Sequence, residues 1–220
     1  MSLGGRLYVG IDPGVLNTGL VIGTKPSRAY HIGVQNSGIQ GVVSDVARCV
    51  TLGEAIYNRL TPVGKTRNRH IVLAVEGPAF NRFAKGSIQT GALHMCVYQM
   101  ITRIRPLYKA LTVITVPPPT LKEYVTGKGN AGKPLMVRAI KDRWSVYFKH
   151  PTKGDDMLDL YDAYGLARVA RAFMLAEPRW LRQKVYAYKV KGSRFQFRSL
   201  SGHASLGFST DPALEVTECL

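Results

Sequence analysis

One stretch near the N-terminus decides the fold: Leu7-Tyr8-Val9-Gly10-Ile11-Asp12-Pro13-Gly14. Its apolar residues alternate with Tyr8 and Gly10, a pattern typical of a buried strand. The run stops at an acid, and the Pro-Gly that follows is a strong turn signal. Because a carboxylate at the end of a central strand cannot lie unpaired in the core, Asp12 must face a cleft, a partner or a cation. We favour a cation.

A second buried strand repeats this arrangement. Residues 70–76, His-Ile-Val-Leu-Ala-Val-Glu, are almost continuously apolar and end at Glu76, followed again by a turn pair, Gly-Pro. Two strands would then deliver one carboxylate each to their C-terminal ends, the edge where open α/β sheets build their sites. The alternative is that each acid merely caps a turn or a helix. This would account for an acid at the end of one strand, but it is a weaker explanation when two buried strands end in the same way.

The remaining pattern predicts an α/β fold. Further strands are expected at 18–24, 29–35 and 111–116, and helices at 45–60, 88–105, 120–124, 133–148 and 155–176. This order indicates a mixed five-stranded sheet, an antiparallel meander followed by parallel strands, flanked by helices. We assign residues 1–178 to one domain and 179–220 to a basic and aromatic C-terminal extension, partly disordered. Residues 184–198 fit an edge hairpin, a nucleic-acid contact or a solvated tail.

The charge balance points to a polyanionic partner. Lys and Arg number 30 against 14 Asp and Glu, which gives a net charge of +16 and a pI near 10.0 in 220 residues. Nucleic acid is the first candidate, although an anionic membrane surface or a ribosomal site would also attract such a chain.

Two classes of protein are disfavoured by composition. No apolar window approaches the roughly 18 residues of a membrane span, and no secretory signal is recognisable. The three cysteines, at positions 49, 96 and 219, lack CxxC spacing. We therefore expect neither disulfides nor structural zinc, and a reducing cytoplasm is favoured.

The last long helix carries two acids that need an explanation. Asp159 and Asp162 are three residues apart, so they share a face, where like charges repel. The helix dipole accounts for acids at the very start, Asp155 and Asp156, but poorly for this later pair. With the two strand-end acids they form a set of hard oxygen donors, which suits Mg²⁺ or Mn²⁺ and not zinc.

Four segments together resemble one known family, the RuvC-type Holliday-junction resolvases of the ribonuclease H-like superfamily. They are Gly10–Gly14 continued by Thr18-Gly19, the strand ending in Glu76, the segment Leu121–Lys133, and Asp159-Leu160-Tyr161-Asp162-Ala163. The resemblance covers about residues 6–172, with the segments in the family's order.

The resemblance implies a metal-dependent crossover junction endodeoxyribonuclease. It would act as a homodimer that resolves four-way DNA junctions by paired nicking of opposed strands, in a bacterial or phage-infected cytoplasm. Mg²⁺ is the expected cofactor, with Mn²⁺ as a substitute, and no membrane is involved. The helix at 88–105 would form the dimer interface.

It also implies roles for particular residues. The metal-binding catalytic acids would be Asp12, Glu76, Asp159 and Asp162, with Lys122 and Lys133 as catalytic lysines near the scissile phosphate. Phe80, with Phe83 behind it, would be the aromatic wedge. The other expected DNA contacts are basic: Arg82, Lys85 and Lys128.

Several alternatives remain open at this point. Asp156 and Asp159 form a competing Asp-x-x-Asp register, in which Asp156 would replace Asp162. Residues 127–133 also fit GxxxxGK, but Pro134 stands where a P-loop needs Ser or Thr. The rival functions are a ribonuclease H-like nuclease acting on other branched DNA or on RNA–DNA hybrid, and a non-catalytic binder of structured nucleic acid.

Overall fold

A computed structural model describes residues 5–24, 28–33, 42–64, 69–78, 84–149 and 156–190. The strands are β1 (Arg6–Asp12), β2 (Asn17–Ile22), β3 (Ala29–Gly33), β4 (His70–Glu76), β5 (Ala110–Val116) and β6 (Tyr186–Val190). The helices are α1 (Val42–Gly64), α2 (Ala84–Ile104), α3 (Pro118–Thr126), α4 (Lys133–Trp144), α5 (Leu158–Leu175) and the short α6 (Leu181–Lys184).

The strands form one mixed sheet in the order β3-β2-β1-β4-β5-β6. β1, β2 and β3 pair antiparallel, and β1, β4 and β5 pair parallel, which confirms the predicted meander followed by parallel strands. The predicted number of strands, five, is wrong. A sixth strand, β6, pairs antiparallel with β5.

The sixth strand lies in the stretch that we assigned to the C-terminal extension. Its side chains alternate, because Tyr186 is exposed while Ala187 is buried. This two-residue period is visible in the sequence, but it does not reveal that the free edge of β5 supplies the backbone partner. Residues 191–220 lie outside the described residues, and the domain division at 178 stays a prediction.

Helices cover both faces of the sheet. α5, α3 and α4 pack on one face around a core that includes Tyr161 and Tyr164, and α1 and α2 pack on the other around Leu52 and Ile101. The central strands β1 and β4 are therefore buried on both sides, which explains their nearly continuous apolar sequences. None of the described helices combines the length and apolar character needed to cross a bilayer.

Three predicted helix boundaries are corrected. α3 begins at Pro118 and not at Thr120, because proline is tolerated in a first turn, where its missing N–H would have no partner. α4 ends at Trp144 and not at 148, since Ser145 turns left-handed (φ 53°). α5 begins at Leu158 and not at 155, because Asp156 pairs with Lys149 in an isolated β-bridge.

Candidate active site

A cavity of about 800 Å³ opens where β1 and β4 end. Its wall includes six of the residues singled out in the sequence: Asp12, Glu76, Asp159, Asp162, Lys122 and Lys133. Asp12 and Glu76 end neighbouring parallel strands, in which Ile11 pairs with Val75, so their carboxyls meet at one edge of the sheet. The sequence thus predicted correctly which acids would share a surface; their role as metal ligands stays a prediction.

Two glycines allow α5 to bring its acids to this edge. A Cβ on Gly10 of β1 would lie 1.9 Å from the carbonyl oxygen of Ala163. A Cβ on Gly19 of β2 would lie 2.2 Å from the carbonyl oxygen of Asp159. Because neither glycine has a side chain, the first two turns of α5 rest directly on the strand backbones, with Asp159 and Asp162 above the end of β1.

The buried acids repel one another. Burial, followed by repulsion from Asp12, raises the pKa of Asp162 to about 7. Burial, and then the nearby Glu76, raises the pKa of Asp12 well above its usual range, and burial raises the pKa of Glu76 as well. The carboxyls of Asp12 and Glu76 lie close enough to hydrogen-bond to each other when one of them is protonated. Carboxylates kept together at this cost are typical of functional sites.

Two lysines oppose this negative charge. The Lys133 Nζ atom lies 4.0 Å from Oδ2 of Asp162, and its side chain is 59% exposed. Lys122 projects into the same cavity from α3, and both lysines lower the pKa values of Glu76 and Asp162. The lysines do not offset burial, since the net shift of both acids remains upward.

Asp156 also lines the cavity, but its carboxylate is engaged by other side chains of this chain. Lys141 donates to its Oδ2 at 2.8 Å, and the Tyr161 hydroxyl donates to its Oδ1 at 3.0 Å. Lys149 adds an ion pair at 3.2 Å. These hydrogen bonds, that of Lys141 foremost, lower the pKa of Asp156. Its charge is already balanced by the chain itself, which favours Asp162 as the acid available to a cation.

One residue of the cavity was missed in the sequence. His31 of β3 lines the wall, and its Nδ1 lies 2.6 Å from Oδ2 of Asp159. The two residues are 128 positions apart. A histidine in a short, half-buried strand carries no signal of such a contact until the strand register is known.

Of the remaining predicted DNA contacts, the structure describes the side chain of Lys128. Phe80, Phe83 and Arg82 fall outside the described residues, and so does the side chain of Lys85 in α2. Lys128 is exposed in the loop after α3, where its backbone N–H donates to the Thr126 hydroxyl.

The donor set of the cavity fits a hard divalent cation. All four acids offer oxygen, the ligand that Mg²⁺ and Mn²⁺ prefer, and their combined charge exceeds that of the two lysines. Within the described ranges, no three His, Cys, Asp or Glu side chains already form a group arranged to hold a metal.

Comparison with solved structures gives the fold. The RuvC structure of Thermus thermophilus is 17% identical, with a TM-score of 0.52, over 76% of this chain and 96% of that one. T. thermophilus RuvC in complex with Holliday junction substrate is 18% identical, with a TM-score of 0.53, over 77% of this chain and 94% of that one. No protein-family model and no curated protein matches the chain. The expected RuvC-like, ribonuclease H-like fold is confirmed.

Proposed function

We propose that this chain is a metal-dependent endonuclease that resolves four-way DNA junctions by paired nicking of opposed strands. The observation that carries the proposal is the cluster of buried, mutually repelling acids at the ends of β1 and β4, faced by two lysines. A RuvC fold supports it, and one structure of that fold holds a junction. The net charge of +16 supports a nucleic-acid substrate.

The four acids are the proposed ligands of Mg²⁺, for which Mn²⁺ would substitute. When bound, the metal would activate a water and stabilise the charge that develops on the leaving oxygen of a phosphodiester. The pKa values of Asp12 and Glu76 are both raised, so any proton that either carboxyl holds has to leave before both can act as ligands. The raised pKa of Asp162 has the same consequence, since its proton competes with a cation.

The lysines would bind the substrate. Lys133 is the first residue of α4, and its side chain is 59% exposed, so a phosphate oxygen at the cavity mouth could reach its ammonium beside Asp162. Lys122, on α3, would contact the same strand from deeper in the wall. Both would orient the scissile phosphate against the acids, a contribution that depends on position and not on proton transfer.

Paired nicking requires two such sites held in a fixed relation, so we propose a homodimer. The helix assigned to the interface is α2, whose Met95 side chain is 73% exposed. A single exposed apolar side chain is common on monomers, so the dimer proposal rests on the need for two sites and not on Met95.

A gel assay tests the function directly. A labelled synthetic four-way junction is incubated beside linear duplex and RNA–DNA hybrid, with Mg²⁺ or with EDTA. We expect paired nicks in opposed junction strands that disappear in EDTA and in Asp12→Asn. The exposed acid Asp142 supplies the control, Asp142→Asn, which should cut normally.

The other outcomes separate the rival functions. Cleavage of hybrid alone would retain the acid site but make the enzyme a ribonuclease. Tight junction binding without cleavage in Mg²⁺ or Mn²⁺ would indicate a binding protein and contradict the proposal.

A further inference from the structure

We propose that His31 is a positioning residue that holds the Asp159 carboxylate at the cavity and so raises the affinity of the site for a divalent cation. The inference rests on the proposed function, because it takes Asp159 as one of the ligands.

The register of the sheet places His31 beside Asp159. Asp12 of β1 pairs with Gly19 of β2, and Gly19 pairs with His31 of β3. These three residues form one row across the sheet, and directly paired residues share a face. Gly19, in the middle of the row, has no side chain, and the backbone of Asp159 packs directly against this glycine. Asp159 therefore stands between Asp12 and His31, above the glycine.

The contact itself is a hydrogen bond to an acid. Nδ1 of His31 lies 2.6 Å from Oδ2 of Asp159, and an ionised carboxylate can only accept. Nδ1 must therefore carry the hydrogen, as it does both in one neutral tautomer and in the charged ring. This bond occupies one lone pair of Oδ2 and fixes the orientation of the carboxylate, while the lone pairs of Oδ1 stay available to a cation.

The position of the pair indicates a functional contact and not a packing contact. Both side chains line the cavity, with exposures of 32% for His31 and 16% for Asp159. Asp12 is oriented by Glu76, and Asp162 lies near Lys133, so His31 gives the remaining acid its partner. A carboxylate oriented in advance loses less side-chain freedom when it binds a metal, and such partners of ligands typically change affinity 10–100-fold.

Calorimetric titration with Mn²⁺ alone tests the inference without any nuclease substrate. Three substitutions are compared with the wild-type chain: His31→Ala removes the ring, His31→Leu fills its space without a donor, and His31→Asn restores an N–H near the position of Nδ1. His70→Ala is the matched control. His70 also forms a side-chain hydrogen bond, to the Thr112 hydroxyl, but it lies at the start of β4, at the opposite end of that strand from Glu76. Circular dichroism verifies that each variant is folded.

We expect His31→Ala and His31→Leu to weaken Mn²⁺ binding by roughly 10–100-fold. His31→Asn and His70→Ala should bind near the wild-type value. If His31→Ala does not fold, the comparison of His31→Leu with His31→Asn carries the test.

Three results would overturn the inference. Unchanged affinity in His31→Leu would mean that the hydrogen bond has no influence on the site, while the proposed function would stand. Equal weakening by His31→Leu and His31→Asn would assign the effect to the shape of the ring. Absence of Mn²⁺ binding by the wild-type chain would instead contradict the proposed metal-dependent function, and with it the assumption that Asp159 is a metal ligand.

Discussion

Replacing Asp162 with asparagine should stabilise the metal-free protein at alkaline pH. The carboxyl of Asp162 is 16% exposed, and its pKa rises from 3.8 to about 7 because of burial and the neighbouring Asp12. Between these two values the folded chain holds a proton that the unfolded chain has released. The stabilisation that results is therefore greatest at low pH and is lost as the pH rises through about 7.

The size of the effect follows from the shift. One pKa unit corresponds to 1.36 kcal/mol, so the ionised side chain lowers the free energy of unfolding by roughly 4 kcal/mol at about pH 8. Asparagine has a similar shape and cannot ionise. The variant should therefore exceed the wild type by up to roughly 4 kcal/mol at about pH 8. The difference should shrink to less than about 2 kcal/mol at about pH 5 and disappear only below the unfolded pKa of 3.8.

Urea unfolding in EDTA, followed by circular dichroism at constant ionic strength, measures this difference. Asp142→Asn is the control, because the Asp142 side chain is 70% exposed on α4 and its replacement should have the same small effect at every pH. Mg²⁺ should raise the stability of the wild type more than that of Asp162→Asn, because a ligand of the folded state stabilises it by mass action. A difference between Asp162→Asn and the wild type that stays constant from pH 5 to pH 8 would refute the reasoning.

The remaining predictions concern cleavage, binding and packing. Asp12→Asn should lower junction cleavage by at least about a hundredfold, while a gel-shift assay shows binding unchanged or tighter, since a negative charge near phosphate is removed. Lys133→Ala should slow cleavage, but it should change the free energy of unfolding by less than about 0.5 kcal/mol, because its side chain is 59% exposed. The control is Lys109→Ala, which lies just before the start of β5, far from the cavity, and should leave the cleavage rate unaltered. Gly10→Ala should destabilise the fold by about 1–3 kcal/mol or more in the same urea titration, because its Cβ would lie 1.9 Å from the Ala163 carbonyl oxygen. The control is Gly91→Ala in α2, where a Cβ meets no atom within 4 Å, and this variant should be as stable as the wild type or more stable. Junction binding measured by fluorescence anisotropy should weaken by roughly 0.9 log units per phosphate contact for each tenfold rise in salt, and a flat profile would contradict a mainly electrostatic interface.

The sequence was sufficient to predict that Asp12 and Glu76 would lie close together. Alternation along residues 7–11, the apolar run before Glu76 and the turn pairs after each acid are local signals, and they fix where a strand ends. Parallel strands deliver their C-terminal ends to one edge, so Asp12 and Glu76 had to meet if β1 and β4 were neighbours. The spacing of Asp159 and Asp162 placed them on one helical face for the same local reason.

The sequence was not sufficient to predict which side chain contacts each acid. Asp156 and Asp162 look alike in the sequence, and only the packing of α4 beside α5 gives one of them Lys141 while leaving the other with Asp12 for a neighbour. The sixth strand is a similar case, because the residues of β5 that pair with it lie 71–79 positions earlier in the chain.

Sequence alone therefore determined the ends of β1, β4 and β5 and the acids that the first two of these ends present, since strand ends of this kind depend on a period of two residues and on turn chemistry. Tertiary structure decided which charges are balanced and which are not. It placed α5 on the bare backbones of Gly10 and Gly19, and it set His31 against Asp159 across 128 residues. The physical reason is that burial and hydrogen bonding depend on distances of a few ångströms between segments, and those distances exist only after the helices and strands have packed.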